Sequence, residues 1–146
     1  MIVELAAALA VSACTAAETR ATFNSFVKAY NAGDAATLDT LFAPEPAFQW
    51  YSSNPPGVRN RAAAFDRATL LTYFARRHAR GDRLRVLSFR FNGEGTELGH
   101  FSFTLQRRAR DYNSGRPFRI PGKGALSCAL TPPAFVVISL GGVRRR

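Results

Sequence analysis

The chain has 146 residues, of which 47% are hydrophobic and 21% charged, a length and composition that predict one globular domain and exclude general disorder. The net charge of +10 is uneven, since residues 1–58 carry two basic and five acidic side chains and residues 59–146 carry eighteen basic and five acidic ones. This basic part attracts phosphates of nucleic acid or of lipid headgroups, but no helix-turn-helix, zinc-finger or RNA-recognition motif accompanies it, which disfavours nucleic-acid binding.

The first residues resemble a bacterial export signal. Residues Ile2–Ser12 are apolar or small apart from Glu4, a run too short to span a bilayer but long enough for the core of a signal peptide. The run ends in Val-Ser-Ala-Cys, which resembles the lipobox, where small residues precede a cysteine that is lipidated. We therefore predict a signal peptide over residues 1–13 and lipidation of Cys14. The protein would then be anchored to the outer face of the cytoplasmic membrane, in the cell envelope.

Two alternatives to this N-terminal prediction stay open. No basic residue precedes the apolar run, and Ala and Leu are strong helix formers, so Ile2–Ala17 could extend the first helix of a cytoplasmic protein. Against this, Thr15 and Glu18 have the spacing of a capping box and favour a helix that starts at Thr15. Cys128, the second cysteine, lies in a predicted strand, and a Cys14–Cys128 disulfide is the other alternative in an exported protein.

Three helices are predicted from apolar spacing. The first has apolar residues at i, i+3, i+4 and i+7, namely Phe23, Phe26, Val27 and Tyr30. Gly33 supplies a left-handed stop and Asp34 the N-cap of a second, shorter helix that ends before Pro44. Asp66 caps a third helix, which carries Leu70, Phe74 and His78 on one side and is followed by Gly81.

The remaining segments predict strands. "AFQWYS" is a short strand with Phe48 and Trp50 on one face, and "SNPPGVRNR" is a loop. Alternation then places Leu87, Phe89 and Phe91 on one face of a strand, and Phe101, Phe103 and Leu105 on one face of the next. "GALSCAL" and "FVVISL" are two further strands, whereas the Gly- and Pro-rich stretch 111–124 predicts a long hairpin loop. The sequence thus predicts one α+β domain over residues 14–140, with helices on one face of an antiparallel sheet, and a basic tail over 141–146.

The segment "FVKAYNAGDAATLDTLFA", followed by a short strand, a loop and a third helix, resembles the nuclear transport factor 2-like (NTF2-like) superfamily, most closely its SnoaL-like branch. The resemblance covers about residues 18–140 and rests on Asn31-Ala32-Gly33-Asp34 and Leu41-Phe42-Ala43. It implies a cone-shaped, cystatin-like fold in which three N-terminal helices pack on a curved antiparallel sheet around an apolar pocket. The superfamily includes isomerases, dehydratases, polyketide cyclases and non-catalytic binding domains, so the resemblance does not by itself assign a function.

The catalytic positions of the ketosteroid isomerase branch are not matched. The tyrosine that donates to the oxyanion corresponds to Phe26, and the aspartate base corresponds to Trp50. The region of its third group, "GKGALSCAL", contains no carboxylate. Since proton abstraction next to a carbonyl needs a base and an oxyanion donor, isomerase chemistry of this kind is disfavoured. The alternative is a SnoaL-like isomerase, dehydratase or cyclase with a rearranged site, in which Asp66, His78 or Tyr51 supplies the acid–base group.

The favoured hypothesis is a domain that binds a small hydrophobic ligand or a protein partner without catalysis. Aromatic residues are the expected lining of its pocket, together with His78 at the end of the third helix. The candidates are Phe26, Tyr30, Trp50, Tyr51, Phe74, His78, Phe101 and Phe103. With two distant histidines, His78 and His100, and no clustered cysteines, neither a metal site nor a cofactor is predicted. A homodimer formed through the exposed sheet face is a further expectation from the resemblance.

Overall fold

The computed structural model describes residues 13–53, 61–93 and 97–141. Three α-helices, α1 (Ala16–Ala32), α2 (Ala35–Leu41) and α3 (Arg67–Ala79), pack on one face of a six-stranded sheet within these ranges. The strands are β1 (Gln49–Ser53), β2 (Arg61–Ala64), β3 (Arg83–Phe91), β4 (Leu98–Arg108), β5 (Phe118–Ser127) and β6 (Ala134–Leu140). The predicted signal core Ile2–Ser12, residues 54–60 of the predicted loop and most of the basic tail lie outside the described residues.

The sheet has the strand order β2-β1-β6-β5-β4-β3, and all its neighbours are antiparallel except β1 and β6, which are parallel. We call the face that carries the helices the inner face and the opposite one the outer face. The predicted α+β class is therefore confirmed, with one parallel pair in an otherwise antiparallel sheet.

The predicted helix boundaries are confirmed by their caps. The hydroxyl oxygen of Thr15 accepts a hydrogen bond from the backbone N–H of Glu18, and Asp34 and Asp66 cap α2 and α3 in the same way. Gly33 has a φ of 66°, the left-handed conformation that glycine adopts without strain. Local side-chain chemistry is therefore sufficient to place the start of each of these helices.

Three predictions about strands are wrong. Leu87 is exposed on a β-bulge between Val86 and Ser88, so the inner face of β3 carries Val86 in its place. Arg61 was predicted as the end of a loop, and no strand was predicted after it, since "RAAA" lacks β-branched and aromatic residues. The short strand β2 starts at this residue and forms through its antiparallel register with β1.

Strand β5 includes the part of the predicted hairpin loop from Phe118 to Gly124. Glycine is required there, because a Cβ atom at Gly122 would lie 2.3 Å from the ring of Phe103, and one at Gly124 would lie 2.6 Å from the ring of Phe101. The glycines that predicted a loop therefore provide space for two phenyl rings on the inner face of a central strand.

A disulfide joins Cys14, just before α1, to Cys128, just after β5. This is the alternative left open by the sequence. A sulfur in a disulfide has no valence for a thioether-linked lipid, so the predicted lipidation of Cys14 competes with this bond and stays a prediction. None of the helices in the described ranges is long and apolar enough to cross a membrane.

Candidate functional site

Most of the predicted pocket residues are in the hydrophobic core. Phe26, Tyr30, Trp50, Phe74, Phe101 and Phe103 are all at most 4% exposed. The ring of Trp50 is 5.0 Å from that of Phe74 and 5.8 Å from that of Phe26, measured between centroids. These side chains fill the space between the helices and the inner face by packing against one another. Packing of this kind is the ordinary role of buried aromatic residues.

The two other candidates, Tyr51 and His78, lie outside this core, so the structure does not bring all eight residues together. Tyr51 points to the outer face, because side chains alternate along a strand and its neighbour Trp50 points inward. His78 is half-buried at the end of α3, and a Cβ atom at Gly33 would lie 2.8 Å from its imidazole ring. His78 therefore packs on the turn between α1 and α2.

The proposed rearranged catalytic groups do not converge. Asp66 and His78 lie at opposite ends of α3, twelve residues apart, which corresponds to about 18 Å along a helix. The carboxylate of Asp66 accepts hydrogen bonds from the backbone N–H and the hydroxyl of Thr69, and these bonds lower its pKa. The phenol of Tyr51 donates to Gln49 on the outer face, 2.8 Å away. A common ligand atom within reach of all three groups is excluded by this geometry.

A buried ionic cluster around Asp82 forms the polar part of the interior. Its carboxylate oxygen Oδ2 accepts hydrogen bonds from Nη2 of Arg107 at 2.6 Å, from Nε of Arg77 at 2.7 Å and from the hydroxyl of Tyr30 at 2.9 Å. The side chains of Arg107 and Asp82 are 0% exposed, and that of Arg77 is 6% exposed. We call these four residues, with the partners described next, the Asp82 cluster.

Neighbouring residues accept further hydrogen bonds from the two guanidinium groups. Arg107 donates from Nη1 to the hydroxyl oxygen of Ser52 at 2.9 Å and from Nη2 to that of Tyr73 at 3.2 Å. Arg77 donates to both carboxylate oxygens of Asp111, at 2.8 and 2.9 Å. The ring of Tyr112 covers the cluster, with its centroid 4.0 Å from the guanidinium carbon of Arg77.

The surroundings shift the pKa values of several members of the Asp82 cluster. Burial raises the pKa of Tyr30 well above its usual value, so its phenol stays protonated. Burial alone would lower the pKa of Arg107, but its hydrogen bonds and the negative charge of Asp82 outweigh this effect and raise it. The pKa of Asp111 is lowered by its hydrogen bonds to Arg77. Each charge in the cluster has an opposite charge beside it.

This cluster was not predicted from the sequence. Arg107 continues the inward alternation of Phe101, Phe103 and Leu105 by one step, and this is the signal that could have identified it. An arginine on an inner face requires a buried carboxylate as its partner. Asp82, which follows Gly81 after α3, is that partner here.

A groove on the outer face is a second candidate site, with a volume of about 680 Å³. Its residues come from β1, β2, β4, β5 and β6, and they include Tyr51, Arg61, His100, Lys123 and Val137. The guanidinium carbon of Arg61 lies 5.0 Å from the ring centroid of Tyr51. The groove thus combines apolar surface with cationic side chains, and its volume is in the range of small-molecule sites.

Among the described residues, Cys14, Glu18 and Cys128 are a group with ligand atoms close enough to hold one metal ion. Oε1 of Glu18 lies 3.2 Å from Sγ of Cys128. With both sulfurs in the disulfide, the group offers no thiolate, which is the form that binds metals.

No family model matches the chain, and no curated protein matches it in sequence. Solved structures match it in fold. A candidate dehydratase of the NTF2-like family from Streptomyces avermitilis is 12% identical, with a TM-score of 0.64 over 88% of this chain and 96% of that one. A candidate aromatic ring hydroxylase from Novosphingobium aromaticivorans is 9% identical, with a TM-score of 0.68 over 88% and 89%. A cystatin-like protein of unknown function from Nostoc punctiforme is 14% identical, with a TM-score of 0.64 over 88% and 90%. The chain therefore has the NTF2-like, cystatin-like fold.

Proposed function

We propose that this protein is an exported, non-catalytic NTF2-like domain that binds a small, largely apolar ligand with one anionic group in the outer-face groove. The observation that carries the non-catalytic part of the proposal is the packing around Trp50. Trp50 occupies the position that corresponds to the catalytic base of the isomerase branch, is 0% exposed and packs on Phe74. The phrase Asn31-Ala32-Gly33-Asp34 favours the SnoaL-like branch of the superfamily, in a form without acid–base groups at the matched positions.

The groove supports a ligand with an apolar body and one negative charge. Val137, Pro121 and the ring of Tyr51 provide apolar surface, and Arg61 and Lys123 provide positive charge. Among the described residues that line the groove there is no carboxylate, so an anionic group meets no like charge from them. A protein partner is the competing occupant.

Export is supported by the disulfide between Cys14 and Cys128, because such bonds persist in oxidising compartments such as the bacterial cell envelope. The proposal therefore places the domain in the cell envelope in the disulfide-bonded form. A lipid anchor on Cys14 is the alternative form of the same exported protein.

A homodimer through the outer face is not part of the proposal. None of the six strands contains Asp or Glu, whereas their outward positions carry several basic residues. In a two-fold dimer the same patch meets itself, so this face would place like charges opposite each other. Light scattering at micromolar concentration tests this expectation.

Binding of 1-anilinonaphthalene-8-sulfonate, an aromatic anion, tests the groove. The variant Val137→Glu places a carboxylate in the groove, and Ser88→Glu makes the same charge change at an exposed outward position outside it. We expect Val137→Glu to weaken binding of the dye at least about tenfold, which corresponds to about 1.4 kcal/mol, and Ser88→Glu to leave it nearly unchanged. Equal binding by both variants would contradict the groove as the ligand site. Native mass spectrometry of protein from the host then shows whether a small ligand co-purifies with the wild type and not with Val137→Glu.

A further inference from the structure

We infer that a second, separate site on the outer face binds a phosphate group through Arg83, Arg85, Arg108 and Arg119. We call these four residues the arginine cluster. They lie at the end of β3, β4 and β5 that is remote from the chain turn at Asn92, and none of them lines the groove of the proposed function.

The strand register brings these charges together. Arg83 of β3 is directly opposite Arg108 of β4. In the next outward row, Gln106 of β4 stands between Arg85 of β3 and Arg119 of β5. Directly opposite residues on antiparallel strands have Cβ atoms about 5 Å apart, and like charges at such positions destabilise the pair. The guanidinium groups of Arg83 and Arg108 therefore repel each other at this end of the sheet.

No carboxylate among the described residues compensates these charges. The ion pairs within the described ranges involve Arg67, Arg77 and Arg107. Arg83 donates instead to the backbone carbonyl of Asp82 at 2.9 Å, and Arg85 donates to the side-chain oxygen of Gln106. These neutral acceptors hold the two guanidinium groups in place without neutralising them, so the cluster is oriented while its charge stays available.

Two adjoining depressions give the cluster room for a ligand. One, of about 260 Å³, is lined by Arg83, Arg85 and Arg108, and the other, of about 290 Å³, by Arg85 and Arg119. Gln106 and Pro117 line both. A guanidinium group donates two parallel hydrogen bonds to a phosphate, and a doubly charged oxyanion between opposed arginines would replace their repulsion by attraction. Departures from local stability rules of this kind are expected at functional sites.

Binding of pyrophosphate at low ionic strength tests the inference, with calorimetry for affinity and the unfolding temperature as a second measure. The test variant is Arg85→Gln/Arg108→Gln. The matched control is Lys28→Gln/Arg90→Gln, which removes the same charge from exposed positions outside both the arginine cluster and the groove. We expect the test variant to lose affinity at least about tenfold, as when one charge-assisted hydrogen bond is lost, and the control to bind like the wild type. Without pyrophosphate, the test variant should unfold at a temperature equal to or above that of the wild type, because a repulsion has been removed.

Vesicles distinguish the source of the phosphate. Co-sedimentation with phosphatidylcholine vesicles that contain phosphatidylglycerol, lost in the test variant and kept in the control, identifies a lipid headgroup. Pyrophosphate binding without vesicle binding identifies a free phosphate compound. The inference is overturned if the wild type does not bind pyrophosphate, or if both double variants lose affinity equally, since the effect would then reflect net charge alone.

Discussion

Arg107 and Asp82 form an ion pair with both side chains fully buried, and Nη2 of the arginine lies 2.6 Å from Oδ2 of the aspartate. Removing two charges from water costs free energy. The attraction between the charges offsets this cost only when their other hydrogen-bonding groups are also satisfied. Ser52, Tyr73 and Tyr30 supply such partners here. Through Asp82, which directly precedes β3, the pair and its partners connect side chains of α1, α3, β1 and β4 at the polar end of an otherwise aromatic interior.

Replacing Arg107 by Met should destabilise the protein by about 3–5 kcal/mol, because it leaves the buried carboxylate of Asp82 with one cation fewer. Urea denaturation measures the change in the free energy of unfolding. The neighbouring Arg108 is exposed on the outer face, and Arg108→Met should change that free energy by no more than about 0.5 kcal/mol. If the two variants lose similar amounts of unfolding free energy, burial of the Asp82 cluster does not contribute to stability.

Two replacements of Trp50 should differ in how much they destabilise the protein. Trp50→Ala removes a fully buried ring and should cost about 3–5 kcal/mol. The indole Nε1 is buried and has no hydrogen-bond partner within residues 13–53, 61–93 and 97–141, and an unsatisfied buried donor costs about 1–3 kcal/mol. Trp50→Phe keeps an aromatic ring and removes this unsatisfied donor, so it should cost much less than Trp50→Ala. If both variants are equally destabilised in the same urea experiment, the indole N–H is satisfied in solution.

Much of the fold could be predicted because its signals are local. The caps at Thr15, Asp34 and Asp66 act within three residues, and so does the left-handed conformation of Gly33. The alternation of β4 also identified its inner face correctly. The errors arose where a distant partner decides the structure: β2 forms because β1 is beside it, and β5 tolerates two glycines because phenyl rings of β4 cover them.

The candidate site was less predictable than the fold for a related reason. The pocket candidates were chosen because they are aromatic, but aromatic residues also fill cores, and only the packing around Trp50 distinguishes the two roles. The Asp82 cluster joins residues from Tyr30 to Asp111, a separation that no local spacing can reveal. The arginine cluster depends on strand register, which the bulge next to Leu87 alters.

The buried phenol of Tyr30 should make stability depend on pH in alkaline solution. Burial raises its pKa in the folded protein well above the value of 10.0 that it has when exposed. Its contribution to stability is therefore fully present below pH 10 and is lost as the pH rises towards the folded-state pKa, since the unfolded chain ionises first. Between about pH 10 and 12, the free energy of unfolding should fall more steeply for the wild type than for Tyr30→Phe. Parallel slopes in urea denaturation would show that this phenol ionises equally in both states.

Reduction of the Cys14–Cys128 disulfide should destabilise the protein, because the bond closes a loop of large sequence separation, 114 residues, and so restricts the unfolded chain. A loss of about 2–4 kcal/mol is typical for such a bond. Denaturation with and without a phosphine reductant measures it, and thiol titration of protein from the cell envelope should find free thiols only after reduction. The variant Cys14→Ser/Cys128→Ser should be as unstable as the reduced wild type and insensitive to reductant. A mature protein with a lipid mass on Cys14 and a free thiol on Cys128 would contradict the disulfide and identify the membrane-anchored form instead.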